Sequence, residues 1–291
     1  MHDRYKGMIP PMVVPFDDSG AIDEDAFRAD ARYLMNESID GISVGGSTGE
    51  GALLSDEELK RCLEMLMEEN ARKLPVFAGI IRNSTRDVIR AAKDAKALGA
   101  DVLLITPVFY HGATEEGNYE FFREIAEAVS LPIVIYNVVA TNIISPESFL
   151  RIAEIDEVIG IKQVDPVKLA EIAVMADPET YVYSACDQML YGTYVSGACG
   201  SISALVTVAP QLCAEQWKAF QSGDQAAAMS INRKLVPIVR SYLEPPYPGK
   251  VKKLLNLQGR RAGVGRMPNT MPSEARCSQM KSALSAAGLI S

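Results

Sequence analysis

DVLLITPVFYHGATEEGNYEFFREIAEAVSLPIVIYNV, residues 101–138, sets two short apolar runs, DVLLITP and PIVIYNV, on either side of a segment with helical spacing, TEEGNYEFFREIAEAVS. Thr114 stands where a helix N-cap belongs, ahead of Glu115 and Glu116. Two buried strands joined by a helix must run parallel, because a hairpin cannot connect them. The stretch therefore reads as one βαβ unit.

The same unit recurs along the chain. Apolar, β-rich runs stand at MIPPMVVPF from Met8, GISVGG from Gly41, PVFAGI from Pro75 and DVLLITP from Asp101. They continue at PIVIYNV from Pro132, EVIGIKQV from Glu157, YVYSA from Tyr181 and GSISALV from Gly200. Helical segments such as DEDAFRADARYLMNES, SDEELKRCLEMLMEENARK and STRDVIRAAKDAKALG fall between them. Eight strands at a repeat of roughly 20 to 35 residues predict an α/β fold closed as a (β/α)8 TIM barrel. An open doubly wound sheet is the alternative. It is weakened because no G-x-G-x-x-G opens a helix after the first strand and no P-loop pattern occurs. After Val208 only helical patterns follow, so the expected organisation is a barrel over 1–207 and a C-terminal helical extension over 208–291, packed as one unit.

Composition narrows the function. Of 291 residues, 48% are hydrophobic and 23% charged, which excludes a disordered chain. A formal net charge of -8 would repel a phosphate backbone, so nucleic acid is not expected as a partner. The basic run Lys250, Lys252, Lys253, Arg260 and Arg261 reads as a solvated face or a subunit contact. No signal peptide or membrane span is evident, and a cytoplasmic protein is expected. Five cysteines without C-x-x-C spacing suggest buried thiols. Only two histidines, His2 and His111, leave little for a catalytic triad or a histidine-bound metal, and no cofactor is expected.

In a barrel the working residues stand at the C-terminal ends of the strands. GGSTGEG, from Gly45, presents two hydroxyls and flexible N–H groups before a helix, which suits a carboxylate or phosphate. A plain glycine turn with a capping hydroxyl is the other reading. Tyr136 closes a buried strand, its phenol directed either into the barrel mouth or into the helix layer. Lys162 ends the run VIGIK, where an ammonium must be paired or must lose its proton. A neutral amine is a nucleophile suited to forming a Schiff base with a ketone, whereas a paired or snorkelling lysine would be structural.

Together, GGSTGE, Tyr136-Asn137 and Gly160-Ile161-Lys162, with Gly200-Ser201-Ile202-Ser203, resemble the dihydrodipicolinate synthase and N-acetylneuraminate lyase family of class I pyruvate aldolases. The resemblance runs nearly end to end. It implies that Lys162 forms an imine with pyruvate or another 2-keto acid, and that Tyr136 shuttles protons in a relay with Ser47. It implies too that Gly46, Ser47, Thr48 and Ile202 surround the keto acid. Tyr110, in competition with Phe109, would enter a neighbouring subunit's site, so a homodimer or homotetramer is expected. Asp187 and Gln188 match positions that hold a sugar's polyol tail in the lyases. Where the synthases carry an arginine for the second substrate's carboxylate, this chain has Thr141, and Val139 stands in place of a proline. The leading expectation is a lyase or aldolase on a 2-keto acid such as N-acetylneuraminate or a keto-deoxy sugar acid. The alternatives are 4-hydroxy-tetrahydrodipicolinate synthase and a silent keto-acid-binding protein on the same scaffold.

Overall fold

The computed structural model describes residues 3–291; His2 lies outside them. Eight parallel strands appear in the expected places: β1 (Gly7–Met8), β2 (Ile42–Val44), β3 (Val76–Ile80), β4 (Val102–Ile105), β5 (Ile133–Asn137), β6 (Val158–Gln163), β7 (Tyr181–Ser184) and β8 (Gly200–Ser201). They hydrogen-bond in the order β1-β8-β7-β6-β5-β4-β3-β2. The ring closes just past β1, where the Met12 N–H donates to the Ser43 carbonyl at 2.7 Å and the Ser43 N–H to that of Pro10 at 3.0 Å. The fold is a (β/α)8 barrel.

Helices α1 (Glu24–Met35), α2 (Asp56–Asn70), α3 (Thr85–Leu98) and α4 (Glu115–Val129) cover the first strands. The shorter α5 (Pro146–Ile152), α6 (Pro166–Met175), α7 (Leu190–Val195) and α8 (Ala204–Val208) cover the rest. The starts of α1 to α6 are chemically marked by side-chain caps. Thr114 accepts the Gly117 N–H at the head of α4, and Ser55 and Glu58 form a reciprocal capping box on α2. Then come α9 (Pro210–Gln221), α10 (Gln225–Tyr242), α11 (Gly249–Leu257) and α12 (Glu274–Ala287).

The period-2 alternation of the strands separates two cores. Ile9, Phe77, Val102, Leu104, Val134, Tyr136, Tyr181, Tyr183 and Ile202 fill the barrel interior. Ile133, Ile135, Ile161 and Val182 face outward and belong to the larger core shared with the helices.

Two expectations change. GSISALV is strand only through Ser201, and Ala204–Val208 is helix α8, since a short buried apolar run does not by itself distinguish the two. The basic run is not a solvated face: Lys250 and Lys252 are buried, as is Arg260, which pairs with Asp30 at 2.7 Å. Among the described residues no helix is long and apolar enough to cross a membrane, and all five cysteines are free.

Candidate active site

Strands β5 and β6 place Tyr136 directly opposite Lys162, and β7 places Tyr183 on the other flank. Lys162 is 4% exposed, and its Nζ stands 3.6 Å from the centroid of the Tyr136 ring. It takes part in none of the ion pairs among the described residues. An aromatic face attracts a cation far less strongly than a carboxylate does, and among the described residues the amine has no direct ion-pair partner, the Asp187 carboxyl feeling its charge from farther off. The choice left open for Tyr136 is decided: it lies with the barrel interior, on the side of Lys162.

The GGSTGEG turn is built by backbone constraint. Gly45 has φ +83°, and a Cβ there would lie 2.4 Å from the Gly79 carbonyl oxygen; a Cβ on Gly51 would lie 1.8 Å from that of Gly45. No larger residue fits either position. Ser47 and Thr48 begin a short 3-10 turn, whose leading N–H groups have no carbonyl one turn earlier to bond. Open space faces Gly46, where an added Cβ would meet nothing within 4 Å. Thr48 is buried, with Oγ1 2.8 Å from the hydroxyl of Tyr247.

Glu50 holds the turn from behind. It adopts a left-handed conformation at φ 55°, which costs a non-glycine residue about 1 kcal/mol and so needs external support. That support is a buried ion pair with Lys252 at 2.6 Å, both side chains at 0% exposure. The Arg266 N–H and the Asn269 side-chain amide donate to the other carboxylate oxygen at 2.9 and 2.8 Å. Lys252 also donates to the Val264 carbonyl at 2.6 Å. Burial pushes the Lys252 amine down from the ordinary lysine value, and the Glu50 charge opposes that shift.

A cavity of about 320 Å³ opens beside the turn, lined by Ser47, Thr106, Phe109, Val138, Val139 and Tyr247 among others. Of the two competing aromatics, Phe109 lines this cavity, while Tyr110 is 74% exposed and packs against His111 with ring centroids 4.6 Å apart. Asn83 Oδ1 accepts the N–H groups of both, at 2.8 and 3.0 Å. Thr141 ties down the same loop by donating to the Phe109 carbonyl at 2.8 Å.

Ile202 is fully buried in the barrel interior. Gln188 is exposed. One oxygen of Asp187 accepts the Tyr242 hydroxyl at 2.5 Å, and the other is buried without a partner. Burial raises the Asp187 carboxyl above the usual carboxylate range, against the pull of the Tyr242 hydrogen bond and the Lys162 charge. The arrangement thus gathers Lys162, Tyr136 and Ile202 in the barrel, joins Thr48 to Tyr247, and leaves Tyr110 and Gln188 facing outward. Sequence reading missed Tyr247, Tyr242 and the Glu50–Lys252 pair. Their one local signal was the aromatic in EPPYPG, set between prolines and hard to assign to any element.

A barrel with a buried lysine and a tyrosine side by side on neighbouring strand ends is an arrangement suited to a Schiff-base lyase. Residues 4–287 match the model of the dihydrodipicolinate synthetase family, and the chain belongs to that family. It is 36% identical over 292 residues to 4-hydroxy-tetrahydrodipicolinate synthase of Hyphomonas neptunium, covering 98% of this chain and 99% of the relative. Among solved structures, dihydrodipicolinate synthase of Thermotoga maritima matches with TM-score 0.94 and 28% identity, over 99% of this chain and 100% of that one. A prophage protein of the same family from E. coli K12, solved in complex with pyruvate, matches with TM-score 0.93 and 27% identity, over 98% and 99%. The chain is accordingly a pyruvate-dependent lyase or synthase of the class I aldolase type.

Proposed function

We propose that Lys162 attacks the C2 carbonyl of pyruvate to form an imine, and that Tyr136 carries protons to and from the reacting centre. The observation that supports this is the buried amine of Lys162 held over the Tyr136 ring with no direct ion pair among the described residues. Ser47 and Thr48, with the N–H groups that begin their turn, fix the keto-acid carboxylate and so orient the ketone toward Nζ. Carbinolamine dehydration yields a protonated imine, which takes up the electron pair released when a proton leaves C3. The resulting enamine can make a carbon–carbon bond; the reverse sequence breaks one.

Borohydride reduction in the presence of pyruvate should add one pyruvate-derived group to Lys162, seen by intact mass and peptide mapping. A normal adduct in a Lys162→Ala variant would remove the reading.

A second reading, condensation of pyruvate with aspartate semialdehyde, draws support from the shared name of the curated relatives. It is better supported than cleavage of N-acetylneuraminate or a keto-deoxy sugar acid, because Gln188 faces solvent and the Asp187 carboxylate is engaged by Tyr242. Consumption of the semialdehyde with pyruvate would establish it. The exposed Tyr110 is consistent with a partner in a homodimer or homotetramer, and sedimentation as a monomer at micromolar concentration would contradict that assembly.

A further inference from the structure

The cavity beside Ser47 has walls of one chemical kind. Leu53, Ile81, Phe109, Val138, Val139 and Pro248 supply apolar surface, and among the described residues no lysine, arginine or histidine lines it. Its one acidic residue, Glu50, is already neutralised by Lys252 and hydrogen-bonded by Asn269 and the Arg266 backbone. Uncharged polar capacity is small: the hydroxyls of Ser47 and Thr106, the latter with Oγ1 buried without a partner, the phenol of Tyr247 and the amide oxygen of Asn269. Tyr247 lines the cavity while its hydroxyl is hydrogen-bonded to Thr48 in the catalytic turn, so the cavity and the turn share a wall. Burial raises the Tyr247 phenol above its ordinary value, so at neutral pH it meets a ligand oxygen with its proton in place.

These walls discriminate. A carboxylate drawn into the cavity would lose its water and find no cation, a cost of several kcal/mol. A chain of hydroxyls would meet too few partners. An apolar substituent gains about 25 cal/mol for each Å² it buries.

We propose that this cavity receives the uncharged, apolar substituent of an aldehyde, aromatic or branched aliphatic, as the electrophile in carbon–carbon bond formation. The inference rests on the Schiff-base reading above and stands against the semialdehyde as the preferred aldehyde. C3 of the Lys162-bound enamine attacks the aldehyde carbon, and the carbonyl π pair moves to oxygen, which takes a proton from the tyrosine relay. The imine at C2 is restored as the enamine pair forms the new bond. Water then hydrolyses the imine, freeing a 4-hydroxy-2-keto acid and the amine. The product has the summed mass of pyruvate and aldehyde, and no oxidant or reductant takes part.

The experiment supplies the full-length enzyme with pyruvate and, separately, benzaldehyde, isobutyraldehyde, glyceraldehyde and aspartate semialdehyde. Pyruvate consumption and product mass are followed. Benzaldehyde or isobutyraldehyde is expected to exceed aspartate semialdehyde in kcat/KM by about 10²-fold. Preference for the semialdehyde or for glyceraldehyde, or no reaction with either apolar aldehyde in an enzyme that traps pyruvate with borohydride, overturns the proposal and leaves the Schiff-base reading intact. Failure to trap pyruvate defeats both. A Val139→Arg variant should shift the ratio toward the semialdehyde by about tenfold or more, since one charge-assisted pair is worth that much. An unchanged ratio in a variant that still traps pyruvate counts against the cavity as the binding place.

Discussion

Of the three buried lysines, two hold their amines over an aromatic ring, and their partners differ. Lys252 lies 4.3 Å from the Phe16 ring centroid and meets the Glu50 carboxylate at 2.6 Å and the Val264 carbonyl at 2.6 Å. Lys162 lies 3.6 Å from the Tyr136 ring centroid and has no ion-pair partner among the described residues. A desolvated ammonium with a counterion is a clamp; a buried amine without a direct partner fits the nucleophile proposed for Lys162. Burial alone does not separate the two roles, and the partner does.

The contrast can be broken most severely at Lys162. Lys162→Met should lower turnover by about 10⁴-fold or more, as loss of a covalent nucleophile does. Its melting midpoint should hold or rise, because an unpaired buried amine has been removed. A midpoint well below that of the parent would assign Lys162 a structural role. Lys252→Met should instead destabilise by about 3–5 kcal/mol, because Glu50 is left buried and unpaired. Urea unfolding measures this, and the companion change Glu50→Gln should recover part of the loss. Tyr136→Phe sharpens the comparison from the other side: turnover should fall by about 10²–10³-fold. Borohydride should still capture pyruvate on Lys162 at longer exposure, since the amine remains. Complete loss of capture would mean that the phenol is needed to place the amine.

The smallest effect belongs to the margin of the clamp. Arg266 bonds both oxygens of Glu58, at 2.7 and 2.6 Å, and this hydrogen-bonded pair holds the Glu58 carboxyl below the usual range. A carboxylate depressed in the folded state stabilises it above the unfolded value, and the gain is lost as pH falls through the folded value. Glu58→Gln should therefore cost about 1 kcal/mol near pH 7 and nothing once the medium is well below about pH 4. Urea midpoints across that range test it, and a gap that persists in acid would refute the pairing as its source.

Much of the fold was legible because each strand carries its own apolar run and each of the barrel helices α1 to α4 its own side-chain cap. The short helices α5, α6 and α7 carried weaker local patterns. The strand–helix boundary at Ser201 was blurred because both sides are buried and apolar. At the site, Lys162 was legible as a charge in the wrong solvent and GGSTGEG as a glycine turn, whereas the lack of room for a side chain at Gly45 and Gly51 shows only in the folded chain. The direction of Tyr136 was not, since period-2 alternation says that faces differ without saying which is inner. Tyr247 and Lys252 escaped for a different reason. The Tyr247 hydroxyl meets Thr48 across 199 positions of chain, and Lys252 reads as one more charge in a basic helix until Glu50 appears beside it.

The distance along the chain between Glu50 and its holders also sets an order in time. Arg266 and Asn269 follow Glu50 by 216 and 219 residues. On a ribosome adding about 5–20 residues per second, the strand bearing Lys162 emerges several seconds before the segment that steadies the turn opposite it. The growing chain thus carries the amine proposed as its nucleophile before it owns the segment that holds the turn in place.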